Sequence, residues 1–150
     1  MNVQLYDENK NLFVSLYSEG GYGTAATDMY LLMIDSDGKY KVFSPDREWM
    51  TTEIENSVDI KINVTEKTAL FSSHGNECTV NIDGYGENTL KETDIYCSGK
   101  SKIDYVLRNG KILCRVPFSY MMTDFVYAET EVNFNNGEFT IGQIELNALI

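Results

Sequence analysis

Tight turns constrain this chain more than any other feature. Asp35-Ser36-Asp37-Gly38, Arg108-Asn109-Gly110-Lys111 and Asn135-Asn136-Gly137-Glu138 each sit between runs rich in β-branched and aromatic residues. Gly accepts the positive φ of a hairpin turn at no steric cost, and Asn and Asp accept it at little. Turns of this kind, with little helical periodicity between them, specify antiparallel β structure. The fold expected is all-β, a β-sandwich or partly closed barrel of about 8–11 strands.

The strands follow from alternation. Val58, Ile60, Ile62 and Val64 alternate with Asp59, Lys61 and Asn63, which predicts a half-buried strand with one wet face. Leu12–Tyr17 is predicted as a first core strand, paired with a shorter one over Val3–Tyr6. Met29–Ile34 and Lys39–Phe43 form a hairpin in which Tyr30, Leu32 and Ile34 share a face. Thr68–Ser72 and Cys78–Asp83 pair next. Gly84 to Asp94 is unpatterned, a strand resumes near Ile95-Tyr96, and Ser98-Gly99-Lys100 breaks it. Lys102–Leu107 with Ile112–Val116, and Glu129–Phe134 with Glu138–Leu146, make the closing hairpins. Pro117 cannot donate to a ladder, so it is expected to end its strand or to sit at an edge or bulge. One short helix is expected near residues 45–55, capped by Ser44, with Pro45 at its first position and Trp49 turned inward.

A chain of 150 residues with 43% hydrophobic and 12% aromatic content buries a core as a single domain, residues 1–150. Against 12 Lys and Arg stand 23 Asp and Glu, a net charge of −11. Such a surface repels a phosphate backbone, and no basic stripe offsets it, which excludes nucleic acid and anionic membranes as partners. Cationic partners stay open: another protein, or a cell-wall component. No stretch approaches the ~20 apolar residues of a transmembrane segment. The start, Met1-Asn2-Val3-Gln4-Leu5, has no basic region followed by an apolar one, so either the chain is cytoplasmic or a leader has been removed.

Sites with chemical meaning are few. Asp35 and Asp37 open a D-x-D-G turn, but Lys39 stands where a calcium loop needs its third oxygen and no Glu closes the loop, so no metal is expected. His74, the single histidine, lies in Ser-Ser-His-Gly-Asn without a nucleophile elbow. No catalytic residue and no cofactor is assigned, and the chain is not expected to be an enzyme. Cys78, Cys97 and Cys114 lack zinc-site spacing and are expected as buried free thiols; a Cys78–Cys97 bridge stays open to an exported protein. Two segments are candidate binding surfaces. One is the glycine loop, Gly21, Tyr22 and Gly23, which lacks the Lys of a phosphate loop. The other is the apolar run from Tyr120 to Tyr127, with Tyr120, Met121 and Phe125 as contacts wherever it is not a core strand.

Taken together, Gly20-Gly21-Tyr22-Gly23-Thr24, Asp28-Met29-Tyr30-Leu31-Leu32, the Tyr105–Ile112 hairpin and Glu131–Phe139 form a pattern. It resembles a group of uncharacterised β-rich domains in secreted or lipid-anchored proteins of clostridia and related Gram-positive bacteria, often labelled VCBS-repeat-like. The resemblance implies a non-enzymatic binding module of a bacterial cell-envelope or secreted protein, at the cell surface or outside the cell, and carries over no functional residue. The acidity supports an alternative: a cytoplasmic immunity- or inhibitor-type protein that binds a basic partner.

Overall fold

The structure, a computed structural model, describes residues 1–20, 25–86 and 89–150. Twelve strands and two helices follow one another among them: β1 (Asn2–Leu5), β2 (Leu12–Glu19), β3 (Ala25–Ile34), β4 (Tyr40–Phe43), α1 (Arg47–Asn56), β5 (Asp59–Asn63), β6 (Thr68–Ser73), β7 (Asn76–Asn81), β8 (Tyr96–Cys97), α2 (Gly99–Lys102), β9 (Asp104–Arg108), β10 (Lys111–Tyr120), β11 (Thr123–Asn135) and β12 (Glu138–Ala148). All pairings are antiparallel. The first sheet is ordered β1-β2-β3-β4 and the second β5-β6-β7. The third is ordered β12-β11-β10-β8, with β9 also on β10, and it curls into a half-barrel. The all-β expectation holds.

Turn chemistry explains the registers. Arg108 pairs with Lys111 and Asn135 with Glu138, leaving two-residue turns at Asn109-Gly110 and Asn136-Gly137. Both residues of each have positive φ, 52° and 74° in the first, 52° and 80° in the second. Such turns match the twist of the strands they join. His74-Gly75 makes another between β6 and β7. The Asp35 turn is longer, and there Asp35 Oδ1 accepts from the backbone N–H groups of Asp37 and Lys39, so the turn itself uses the carboxylate.

All three sheets feed one core. Phe13, Met29 and Leu31 come from the first, Ala69, Phe71 and Val80 from the second, and Ile112, Cys114, Val116, Phe118, Val126 and Ile144 from the third. Phe71 meets Phe118 edge-on, ring centroids 6.0 Å apart. Each Val, Leu, Ile, Phe or Met side chain among these contributes roughly 1.5–3 kcal/mol on full burial.

Two local expectations are corrected and one is narrowed. The helix begins at Arg47, capped by Asp46, whose Oδ1 accepts from Trp49 N at 2.9 Å. Ser44 is drawn away, donating to Met29 O. The helix buries Met50, Thr51 and Ile54, and Trp49 is half-buried against the core. Of the places expected for Pro117, the edge holds and the strand end does not, because β10 runs through it to Tyr120. Its carbonyl accepts from Ser98 N, so its missing N–H faces the same side, in the interval between the β9 and β8 pairings. No ladder bond is lost there, and a bulge follows between Phe118 and Ser119. The other correction is α2, a single turn in which Ser98 O accepts from Ser101 and Lys102. It packs so closely on α1 that a Cβ on Gly99 would lie 2.1 Å from Thr51 Oγ1.

Candidate functional site

The first sheet has one face in the core and one that nothing covers among the described residues. Registry places the outer side chains in ranks. Leu5, Leu12, Leu32 and Val42 form a rank across all four strands, flanked by Val3-Val14-Tyr30 and by Ile34-Tyr40. Leu16 extends the apolar area and lies opposite Asp28, whose carboxylate pairs with Arg47 at 2.8 Å. Leu5 is 69% exposed and Val42 61%, while Leu12, Val14, Tyr30 and Leu32 shelter one another. In projection the face covers roughly 300 Å², from strands ~4.8 Å apart rising ~3.3 Å per residue. An apolar area of this extent equals the largest patch that an ordinary monomer exposes, and here it is contiguous across four strands.

Its rim is charged. The β1–β2 turn carries Asp7, Glu8 and Lys10, and the β3–β4 turn at the same end carries Asp35, Asp37 and Lys39. Ile34 N donates to Asn11 Oδ1, and the Tyr40 hydroxyl donates to Lys10 O, so the two turns are tied into one edge.

On the other side of this sheet, where β2 and β3 pass the end of the core, a cleft of about 320 Å³ opens against the third sheet. Tyr17 and Thr27 form one wall, and Lys102, Asp104, Arg115, Asp124 and Tyr127 the other. Lys102 Nζ meets Asp124 Oδ1 at 2.8 Å, and the same oxygen accepts from Ser119 Oγ at 2.6 Å. Ser98 Oγ donates in turn to Ser119 at 2.7 Å. Thr27 Oγ1 donates to Asp104 Oδ1 and accepts from Tyr105 N. Arg115 donates through Nε and Nη2 to Glu129 Oε2 and lies 5.5 Å from the centre of the Tyr127 ring. In this chain of hydrogen bonds Ser98 donates to Ser119, and Ser119 donates to a carboxylate already paired with a lysine. That arrangement orients Asp124 and Lys102. His74 is exposed on the β6–β7 turn, in a different sheet.

The thiols are all free. Cys78 is half-buried, and Cys97 and Cys114 are buried. Burial pushes Cys97 up to about 12 against a smaller opposing backbone hydrogen bond from Gly99. It pushes Cys114 and Tyr105 up as well. These two face each other across β9 and β10, and no regular hydrogen bond reaches the Tyr105 hydroxyl among the described residues. Groups held so firmly in their neutral forms are poor nucleophiles.

Of the residues expected as contacts, Gly21, Tyr22 and Gly23 lie outside the described residues. Met121 is exposed at the β10–β11 turn with φ of 52°, beside exposed Met122, and its carbonyl accepts from the Tyr96 hydroxyl. Tyr120 is half-buried. Phe125 is fully buried, edge-on to Tyr85 and stacked on Tyr120, so it serves the core and not a surface. Sequence reasoning missed the open face because β2 and β3 are apolar on both sides, which leaves alternation silent about which side is wet. It missed the cleft because the lining comes from five separated segments. Among the described residues no group of three or more His, Cys, Asp or Glu side chains is placed to hold a metal ion, and no helix is long and apolar enough to cross a membrane. Compared with protein-family models, with curated proteins and with solved structures, the chain finds no match.

Proposed function

We propose that this chain is a non-enzymatic binding module whose partner is a basic protein that presents an apolar surface to the open face of β1–β4. The observation that carries the reading is the uncharged four-strand rank Leu5-Leu12-Leu32-Val42 in a chain of net charge −11. Area and charge together select the partner. A face of roughly 300 Å² falls short of the ~800 Å² per side of a stable specific interface, so a partner must also engage the rim. Two copies of this chain would bring carboxylate-rich rims together, whereas a basic partner meets opposite charge there. The resemblance in the sequence supplies one setting, a cell-envelope or secreted protein; an intracellular inhibitor of a basic protein is the other, and the docking chemistry is common to both.

Selection of displayed random peptides against the full chain tests this. Enriched peptides are expected to combine Lys or Arg with large apolar residues, and their binding should weaken at least tenfold in Leu5→Ser/Val42→Thr and with rising salt. Acidic or face-insensitive peptides would refute it. A dimer in sedimentation that the same double variant dissolves would put a second copy on the face instead.

A further inference from the structure

We infer that the cleft between Tyr17 and Tyr127 binds a neutral saccharide. This goes beyond the protein-docking reading, because it uses the opposite side of the first sheet: Tyr17 pairs with Thr27 in register and points away from the Leu5-Val42 rank.

The chemistry of the walls selects the ligand. Two cations, Lys102 and Arg115, and two carboxylates, Asp104 and Asp124, line the cleft, and each cation already has its own carboxylate, Asp124 for Lys102 and Glu129 for Arg115, so neither is left as a free charge. A free anion finds no unpaired cation there, and a metal ion finds no cluster of three ligands among the described residues. A neutral ring with several hydroxyl groups fits, since each hydroxyl both donates and accepts, and the walls supply Lys and Arg donors beside Asp acceptors. Two tyrosines add flat apolar surface of the kind on which the C–H face of a sugar ring lies. Tyr17 is 62% exposed, much of its ring open to solvent.

The polar groups are also held in place before any ligand arrives. Asp124 is fixed by Lys102 and Ser119, and Ser119 by the buried Ser98. The bulge at Phe118/Ser119 sets Asp124 across from Ser119. Arg115 is anchored by Glu129 and Asp104 by Thr27. A first layer of side chains locked by a second is what a specific site needs, and a volume near 320 Å³ stands at the lower end of ligand clefts, matching a small ligand.

The test is an array of neutral, uronic-acid and amino-sugar oligosaccharides probed with the full chain at low and high salt. Binding is expected on neutral glycans only and should persist at high salt. It should fall at least tenfold in Tyr17→Ala, whose exposed side chain leaves the fold intact, and in Asp124→Asn with the melting temperature recorded alongside. The docking variant Leu5→Ser/Val42→Thr should bind the glycans as the native chain does, so failure of either reading shows separately. Absence of any neutral glycan from the bound set, preference for charged glycans, or equal binding by Tyr17→Ala overturns the assignment.

Discussion

The first and third sheets are built from similar residues and treat solvent in opposite ways. Each carries a rank of side chains across four strands on its outer side. In the third sheet that rank is Asp104-Arg115-Glu129-Glu145, charges of alternating sign at one end with an ion pair at 3.0 Å. In the first sheet it is Leu5-Leu12-Leu32-Val42. Both sheets bury their inner faces in a common core. A sheet that only needs to fold can be polar outside, as the third one is. The first sheet exposes apolar side chains instead, and the docking proposal rests on that contrast.

The sharpest way to break this comparison is to truncate one side chain from each class. Phe118→Ala empties a fully buried site against Phe71 in the third sheet. A loss of about 3–5 kcal/mol is expected in urea unfolding. Val42→Ala on the open face should change stability by less than about 0.5 kcal/mol. Comparable costs would mean that the open face is covered and that the contrast is false.

Alkaline pH sharpens the same contrast, because Cys97, Tyr105 and Cys114, the groups raised most strongly, all belong to the third sheet. The Cys97 thiol keeps its proton up to about 12 in the folded chain, whereas an unperturbed thiol releases it near 9.0. Between those values the folded state binds more protons than the unfolded state, so stability is complete below pH 9 and falls as pH rises toward 12. The slope is roughly 1.4 kcal/mol per pH unit for each such thiol. Urea midpoints measured across this window should drop steeply in the native chain and less steeply in Cys97→Ala. A flat profile would show that these thiols reach solvent.

A smaller loss is expected where α2 seats on α1. Gly99→Ala places a methyl group within 2.1 Å of Thr51 Oγ1, so the two helices must part. Overpacking of this kind costs about 1–3 kcal/mol. Gly99→Ala combined with Thr51→Ala should recover part of it in thermal melts, and a Gly99→Ala melt equal to that of the native chain would mean that α2 is not seated on Thr51.

What could be read in the sequence followed the range of the physics. The turns at Asn109-Gly110 and Asn136-Gly137 are local, since two residues of positive φ suffice to set the register of a hairpin. The single turn of α2 is too short to leave a periodicity. The placement of Pro117 depends on where β9 stops and β8 starts, which no local pattern carries. Tyr30, Leu32 and Ile34 were legible as one face, but whether solvent or core met them depended on packing between sheets. The cleft is less legible still, because Tyr17, Thr27, Lys102, Arg115 and Asp124 converge only after two sheets come together.

The smallest effect comes from exchanging the chemistry of the two ranks one position at a time. Arg115→Ala removes an ion pair whose arginine is 46% exposed, together with its stacking over Tyr127. Exposed pairs contribute about 0.2–1 kcal/mol, and salt screens them. The difference between Arg115→Ala and the native chain should therefore shrink as ionic strength rises. Leu5→Ser removes only exposed apolar surface, so its difference should stay near zero at every salt concentration. Paired urea titrations at low and high salt decide the point. A salt-dependent Arg115 effect beside a salt-independent Leu5 effect would confirm that the third sheet's outer side is held by charge and that the first sheet's is not held at all. An appreciable loss in Leu5→Ser would mean that the open face contributes to the fold, and the docking role assigned to it would lose its basis.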